Sequence, residues 1–258
     1  MRSRHAGFTL IELMAVIAIV GLLVSLSARG LLQARDGAHA AVCREQLGQL
    51  QAAHLMYLEE HRGRFFPFSE NTPEGRLWYW GLETGGTGEG SRGLDKEAAR
   101  LAPYFDQGSI ELCPSFARNS HHFKAKFTGA SHGYGINVFL LSDSARLMPG
   151  NARSSSASIT RLNSVASPVT TMGWADAAQV NTWQQPASRS NPLIEEWYYL
   201  NNINPPKFHF RHVGTTAQVA WLDGHVSAIE PEKLDPAADG LTGFHAPPGD
   251  HRNLELSP

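Results

Sequence analysis

Four sets of side chains in this sequence are of types that do chemistry. Glu12 is a carboxylate inside residues 8–26, FTLIELMAVIAIVGLLVSL, a run otherwise interrupted only by Thr9, Gly21 and Ser25. Cys43 and Cys113 are the only cysteines. His209, His212, Asp223 and His225 cluster toward the C-terminal end, and Asp176, Asp223, Asp235 and Asp239 offer carboxylate oxygens. Two cysteines exclude a four-thiolate zinc centre and a disulfide-dense scaffold. They can bridge in an oxidising compartment or stay as two buried thiols, and their Cα separation, which sequence does not show, decides between the two. His212, Asp223 and His225 are not expected to bind zinc, because no HExxH, CxxC or H-x-H with an acidic partner accompanies them. Asp176 and Asp223 are the calcium candidates, with turn and capping chemistry as the competing role, since no loop carries a spaced ligand set. No other cofactor is expected. A G-x-S-x-G elbow is missing, Cys113-Pro114 has no catalytic signature, and the chain is read as a non-enzyme.

These groups need elements to hold them. A run of about 20 apolar residues crosses a bilayer as a helix. Arg2, Arg4 and the small residues of Ser25-Leu26-Ser27 also suit a cleavable secretory signal. Glu12 argues against that alternative: a carboxylate at this depth costs about 3 kcal/mol of insertion and calls for a compensating group. Farther on, Cys43, Leu47, Leu50, His54 and Tyr57 recur at helical spacing on one face, with Glu45, Gln46, Gln49 and Gln51 on the others. The periodicity predicts a single helix from Phe8 to about His61, ended by Gly63 and Pro67. A net charge of -2 without a basic run excludes a dedicated nucleic-acid binder, while 42% hydrophobic against 18% charged residues requires a packed core.

The segment RSRHAG-FTLIEL, from Arg2 to Leu13, resembles the leader and mature N-terminus of type IV prepilins and type II secretion pseudopilins. The resemblance implies cleavage between Gly7 and Phe8 by a prepilin peptidase, which also methylates the new amine of Phe8. It places Glu12 at the fifth mature position, where that family's glutamate meets the amine of a neighbouring subunit. Two desolvated opposite charges then compensate each other, and Glu12 sets the axial register. The stretch AVCREQLGQLQAAHLMYLEEHRGRFFP resembles the C-x-x-N-L-x-Q-L…Y…G-x-F-P region of prepilin-like proteins with an extended C-terminal domain, Gln46 standing at the asparagine position. Leu112-Cys113-Pro114-Ser115, Gly133-Tyr134-Gly135-Ile136-Asn137 and the His212…Asp223-Gly224-His225 spacing extend the resemblance to about residue 228.

The expected fold is α+β and pilin-like: a long N-terminal helix, half transmembrane and half amphipathic, on a small antiparallel sheet. Its parts are a leader at 1–7, a membrane half at 8–28, an amphipathic half at 29–62, a globular head at 63–230 and a loop-rich tail at 231–258. Residues 81–93 read as a Gly-rich loop and 94–105 as a short helix. The alternating runs 215–222 and 225–230 around Asp223-Gly224 predict a hairpin with a two-residue turn, and residues 167–176 a third strand. Trp78-Tyr79-Trp80 and Trp197-Tyr198-Tyr199 serve as packing or line a groove. Arg2 and Arg4 before the apolar run are balanced by Arg29 and Arg35 after it. The resemblance supplies the orientation: a bacterial inner-membrane, single-pass protein with its head in the periplasm. Its implied partners are further copies or related pseudopilins, the prepilin peptidase, the inner-membrane assembly platform and the membrane itself. The alternative is an anchored protein whose head binds polysaccharide or a secreted substrate.

Overall fold

The structure is a computed structural model that describes residues 9–85, 88, 90–105, 110–119, 123–128, 133–141, 161–200, 207–234 and 241–244. Gly7 and Phe8 lie outside these, as do Asp235 and Asp239. By internal contacts the chain forms two compact units, residues 1–38 and 39–258. One helix, α1 (Leu10–Glu60), supplies most of the first unit and opens the second.

In the first unit every Leu, Ile, Val and Met from Leu10 to Leu26 is exposed. The segment is long and apolar enough to cross a membrane.

In the second unit the helix obeys the predicted stripe. Cys43, Leu47, Leu50, His54 and Tyr57 are all buried. Gln51, expected on an outer face, is buried too. Its amide lies against Gly173, where an added Cβ would come within 2.3 Å of Gln51 Oε1. The glycine makes the room. The helix ends in a Schellman turn, with Gly63 N–H donating to Leu58 O (2.6 Å) and Arg62 N–H to Glu59 O (3.2 Å). Arg62 holds the left-handed conformation at φ 56°, followed by Gly63 at φ 75°. The stop therefore falls one residue before the glycine expected to make it.

A central five-stranded sheet lies against this part of the helix. Its order is Tyr199–Leu200, Tyr134–Asn137, Met172–Asp176, Ala217–Trp221 and Val226–Ile229. The first pair is parallel and the others antiparallel, so the sheet is mixed rather than purely antiparallel. Trp174 Nε1–H donates to His54 Nδ1 (3.3 Å), Tyr134 O–H to Gln46 Oε1 (2.6 Å) and Arg44 Nε–H to Gln218 Oε1 (3.4 Å). Ala217, Val219 and part of Trp221 face a second apolar cluster with Phe208 and Phe210, as their alternation predicts.

Three smaller sheets surround it. Ser69–Thr72, Gly75–Trp78, Gly81–Thr84 and Gly93–Asp95 form an antiparallel meander. The Gly-rich segment expected as a loop is thus framed by strands. The helix expected at 94–105 is a strand end, turns and a single 3-10 turn at Ala102–Tyr104. Asp95 Oδ1 accepts from the N–H groups of Glu97 and Ala98, the bonding of a helix N-cap, yet only turns follow it. Within the segment read as a tail, Lys233–Leu234 and Thr242–Phe244 are strands that continue to Phe208–His209. Phe123–Lys124, Leu193–Glu196 and Ala178–Asn181 form the last sheet.

Candidate functional site

Among the described residues of the second unit, a buried polar cluster centres on Asp176, at the end of a central strand. Arg211 Nη2–H donates to its Oδ1 (2.5 Å), while the Gln218 N–H (2.7 Å) and His212 Nε2 (2.8 Å) reach Oδ2. A carboxylate only accepts, so His212 carries its proton on Nε2. All three side chains are essentially inaccessible to solvent. Burial pushes the Asp176 carboxyl up, but the Arg211 charge, His212 and the Gln218 N–H outweigh it and hold the group below its ordinary value. Arg211 also donates to Ala177 O (3.3 Å) and Gly133 O (2.6 Å) and lies 4.8 Å from the Phe116 ring centre. The ion pair is therefore hydrogen-bonded on both sides, the condition under which a buried pair is tolerated.

Beside it, Cys43 and Cys113 form a disulfide with Cα atoms 5.4 Å apart, across 70 residues. This closes the choice that the sequence left open. Closing a loop of that length restricts the unfolded chain by roughly 4 kcal/mol on the chain-entropy account. Cys113 Sγ lies 4.0 Å from His212 Nε2.

In the first unit, Glu12 sits in the first turn of the helix and forms a capping box with Thr9. Its Oε2 accepts from Thr9 N–H (2.9 Å) and from Thr9 Oγ1–H (2.7 Å), and Thr9 Oγ1 accepts from Glu12 N–H (3.3 Å). Ser25 and Ser27 donate back to the carbonyls of Leu22 and Leu23 at 2.7 and 2.8 Å. Each of these polar side chains thus finds a partner within its own helix, which a span through lipid requires. Residues 2–28 match the family model of the prokaryotic N-terminal methylation motif. The match supports a prepilin-type protein. No curated protein and no solved structure matches the chain.

The candidate residues fall into separate places. Glu12 belongs to the apolar helix; Cys43, Cys113, His212 and Asp176 converge in the core of the second unit. Asp223 is apart from Asp176, in the hairpin loop, where its Oδ1 accepts from His225 N–H (3.2 Å) and faces His225 Nδ1 at 2.6 Å. Burial pushes its carboxyl up, but the bonds to His225 together with that ring's nearness outweigh it and hold the group below its ordinary value. The hairpin loop has three residues, not two, because Trp221 N–H donates to His225 O (2.9 Å) and only Gly224 takes positive φ, at 101°. His209 Nδ1 faces Arg211 Nη1 at 3.3 Å, inside the Asp176 cluster.

The aromatic triplets pack on one another. Trp80 stacks on Tyr198 with centroids 4.0 Å apart, Trp78 on Trp80 at 4.8 Å, and Tyr79 O–H donates to the Tyr198 carbonyl. Trp78, Tyr79, Trp80 and Tyr198 fill the core, while Trp197 and Tyr199 are half-buried at its edge.

Sequence reasoning missed Arg211, whose neighbours are 35 and 78 residues away. It also missed a second buried polar group around Glu195, which meets Asn181 (2.7 Å), Gln179 (3.2 Å), Lys124 (3.2 Å) and Lys126 (3.7 Å). Lys207 adjoins it, its ammonium pushed down to about 8 by burial and by the Lys126 charge, with Glu195 opposing. Lys207, just before the strand Phe208–His209, carries no mark of such burial in the sequence.

Proposed function

We propose that this chain is a structural pilin-like subunit of a type II secretion pseudopilus or a type IV pilus-like filament. The observation that carries the proposal is the coincidence of the methylation motif at residues 2–28 with a helix whose apolar side chains are exposed from Leu10 to Leu26. Such a surface requires lipid or other helices as its solvent. On this reading a prepilin peptidase cuts between Gly7 and Phe8 and methylates Phe8. The inner-membrane assembly platform then adds the subunit to related copies through this helix, and the head lies in the periplasm. Glu12 exchanges its bonds to Thr9 for the Phe8 amine of a neighbour, which fixes the axial offset between packed helices. The role is structural, with no catalysis assigned to the head.

N-terminal sequencing of membrane-extracted protein tests the processing step. The expected first residue is N-methylated Phe8; an intact Met1 or a start near Ala28 overturns it. Glu12→Ala is expected to leave membrane insertion intact and to abolish incorporation into filaments, read by co-purification of subunits after shearing. Normal incorporation of that variant removes the registry role.

A further inference from the structure

We propose that the buried amine of Lys207 and the side-chain amide of Gln179 join in an intramolecular isopeptide bond, with Glu195 carrying the proton and ammonia leaving. Gln179 and Glu195 stand directly opposite each other where Ala178–Asn181 pairs antiparallel with Leu193–Glu196, so their side chains share one face. The Lys207 carbonyl accepts from Ala178 N–H (3.0 Å), which lays the third residue alongside them. Lys207 Nζ–H then donates to Gln179 Oε1 (3.2 Å), and Gln179 Nε2–H donates to Glu195 Oε2 (3.2 Å). Gln179 Cδ is one C=O bond from Oε1, so the amine lies within about 4.4 Å of the carbon it attacks. All three residues are more than nine-tenths buried.

The surroundings favour the neutral, nucleophilic amine. The Lys207 and Lys126 ammonium groups lie 4.3 and 4.4 Å from the centre of the same Trp197 ring. Burial and then the Lys126 charge push Lys207 down to about 8, against the pull of Glu195. A desolvated lysine beside another cation is the setting of an activated amine. On Glu195, Asn181 (2.7 Å) and Lys124 (3.2 Å) hold Oε1, and Oε2 faces the amide nitrogen with Lys126 at 3.7 Å. A second lysine–glutamine contact supplies a control. Lys124 donates to Gln184 Oε1 at the same 3.2 Å, but Gln184 is exposed and Lys124 is ion-paired to Glu195, so an ordinary hydrogen bond is expected there.

The step balances without an oxidant or co-reactant. The Lys207 ammonium gives one proton to solvent, and neutral Nζ attacks Gln179 Cδ while the C=O electron pair moves to Oε1. Glu195 takes a second proton from Nζ and hands it to Nε2. The carbonyl re-forms, the Cδ–Nε2 bond breaks, and ammonia leaves and takes up a proton from solvent. Holding the two reactants together replaces a bimolecular encounter, an advantage that reaches about 10⁵–10⁸ M in well-aligned cases. The reaction need occur only once per chain. Its product is a neutral amide, which a buried site tolerates more cheaply than an ammonium. This inference does not rest on filament assembly.

The test is tryptic mapping by mass spectrometry of the full chain, extracted in detergent, then reduced and alkylated. One branched species is expected that joins the peptides of Gln179 and Lys207, lighter than their sum by one ammonia and uncut after Lys207. The peptides of Lys124 and Gln184 are expected to stay separate. Unaltered Gln179 and Lys207 in separate peptides, after prolonged incubation of the folded chain at about pH 8, where half of the amine is neutral, overturn the proposal. Glu195→Gln, first shown by circular dichroism to be folded, is expected to lower the extent of joining by about 100-fold. Joining as complete as in the unaltered chain removes Glu195 as the proton carrier. A joined species in Lys207→Arg would assign the bond to another amine and equally overturn the proposal.

Discussion

The two stretches of the single helix Leu10–Glu60 solve opposite problems with the same backbone. From Leu10 to Leu26 its apolar residues point outward on every side and its polar side chains bond within the helix itself. From Cys43 to Tyr57 one stripe is buried, and the polar side chains reach across to the sheet: Arg44 to Gln218, Gln46 to Tyr134, His54 to Trp174. The first stretch awaits a solvent; the second has its solvent, the head, already folded onto it. Hydrophobicity therefore means different things along one element. In the first it measures affinity for surroundings, in the second complementarity to particular neighbours.

That contrast can be broken most severely with acid. His54 is wholly buried, and burial pushes its imidazole down to about 3 from its ordinary value. A folded-state value below the unfolded one means stability is fully present above about pH 6.5 and is lost as pH falls from there toward 3. The loss approaches about 5 kcal/mol at the acid limit, and about 3 kcal/mol by pH 4. Urea melts of the head's near-ultraviolet signal against pH are expected to follow this slope, and His54→Leu to flatten it. An unchanged slope in the variant would assign the acid sensitivity elsewhere.

A paired substitution sharpens the contrast at matched chemistry. Leu50→Ala removes a side chain that is 2% exposed and is expected to cost about 2–5 kcal/mol of head stability. Leu22→Ala removes one that is 60% exposed and should leave the same transition within about 0.5 kcal/mol. Equal effects would mean that the two stretches share one core.

The smallest effect lies at the helix end. Arg62 is exposed and left-handed at φ 56°, a conformation that costs a residue with a Cβ about 1–2 kcal/mol. Glycine relieves this but gains freedom in the unfolded chain. Arg62→Gly is expected to stabilise the head by about 0.5 kcal/mol net, read as a slight rise in Tm. A fall would show that the Arg62 side chain contributes contacts beyond the turn.

The sequence made the local features readable. The Cys43-to-Tyr57 stripe repeats at the helical period, and the Ala217-to-Trp221 strand alternates, so both faces could be read from spacing alone. Features set by distant partners were not readable. Gln51 looks like an outer residue until Gly173 is placed against it. The disulfide depends on closing 70 residues, and Arg211 gains meaning only beside Asp176, 35 residues earlier. The Asp-Gly turn came out one residue longer because the Asp223 side chain binds the His225 N–H, leaving Gly224 alone at positive φ. The helix expected at 94–105 yielded to strand pairing of Gly93–Asp95 with Thr84 and its neighbours. Long-range partners, not local propensity, decided these, except for the longer turn, which is set by a bond two residues along the chain.

The position of the Cys43–Cys113 bond has a mechanical consequence. A pull transmitted along the helix from its N-terminal side arrives at Cys43 before it reaches any residue from Arg44 to Glu60. From there a covalent route leads directly to Cys113 in the body of the head. The hydrogen bonds that seat the remaining helix are bypassed by the load, and tension on this subunit would be borne by sulfur rather than unzipped turn by turn.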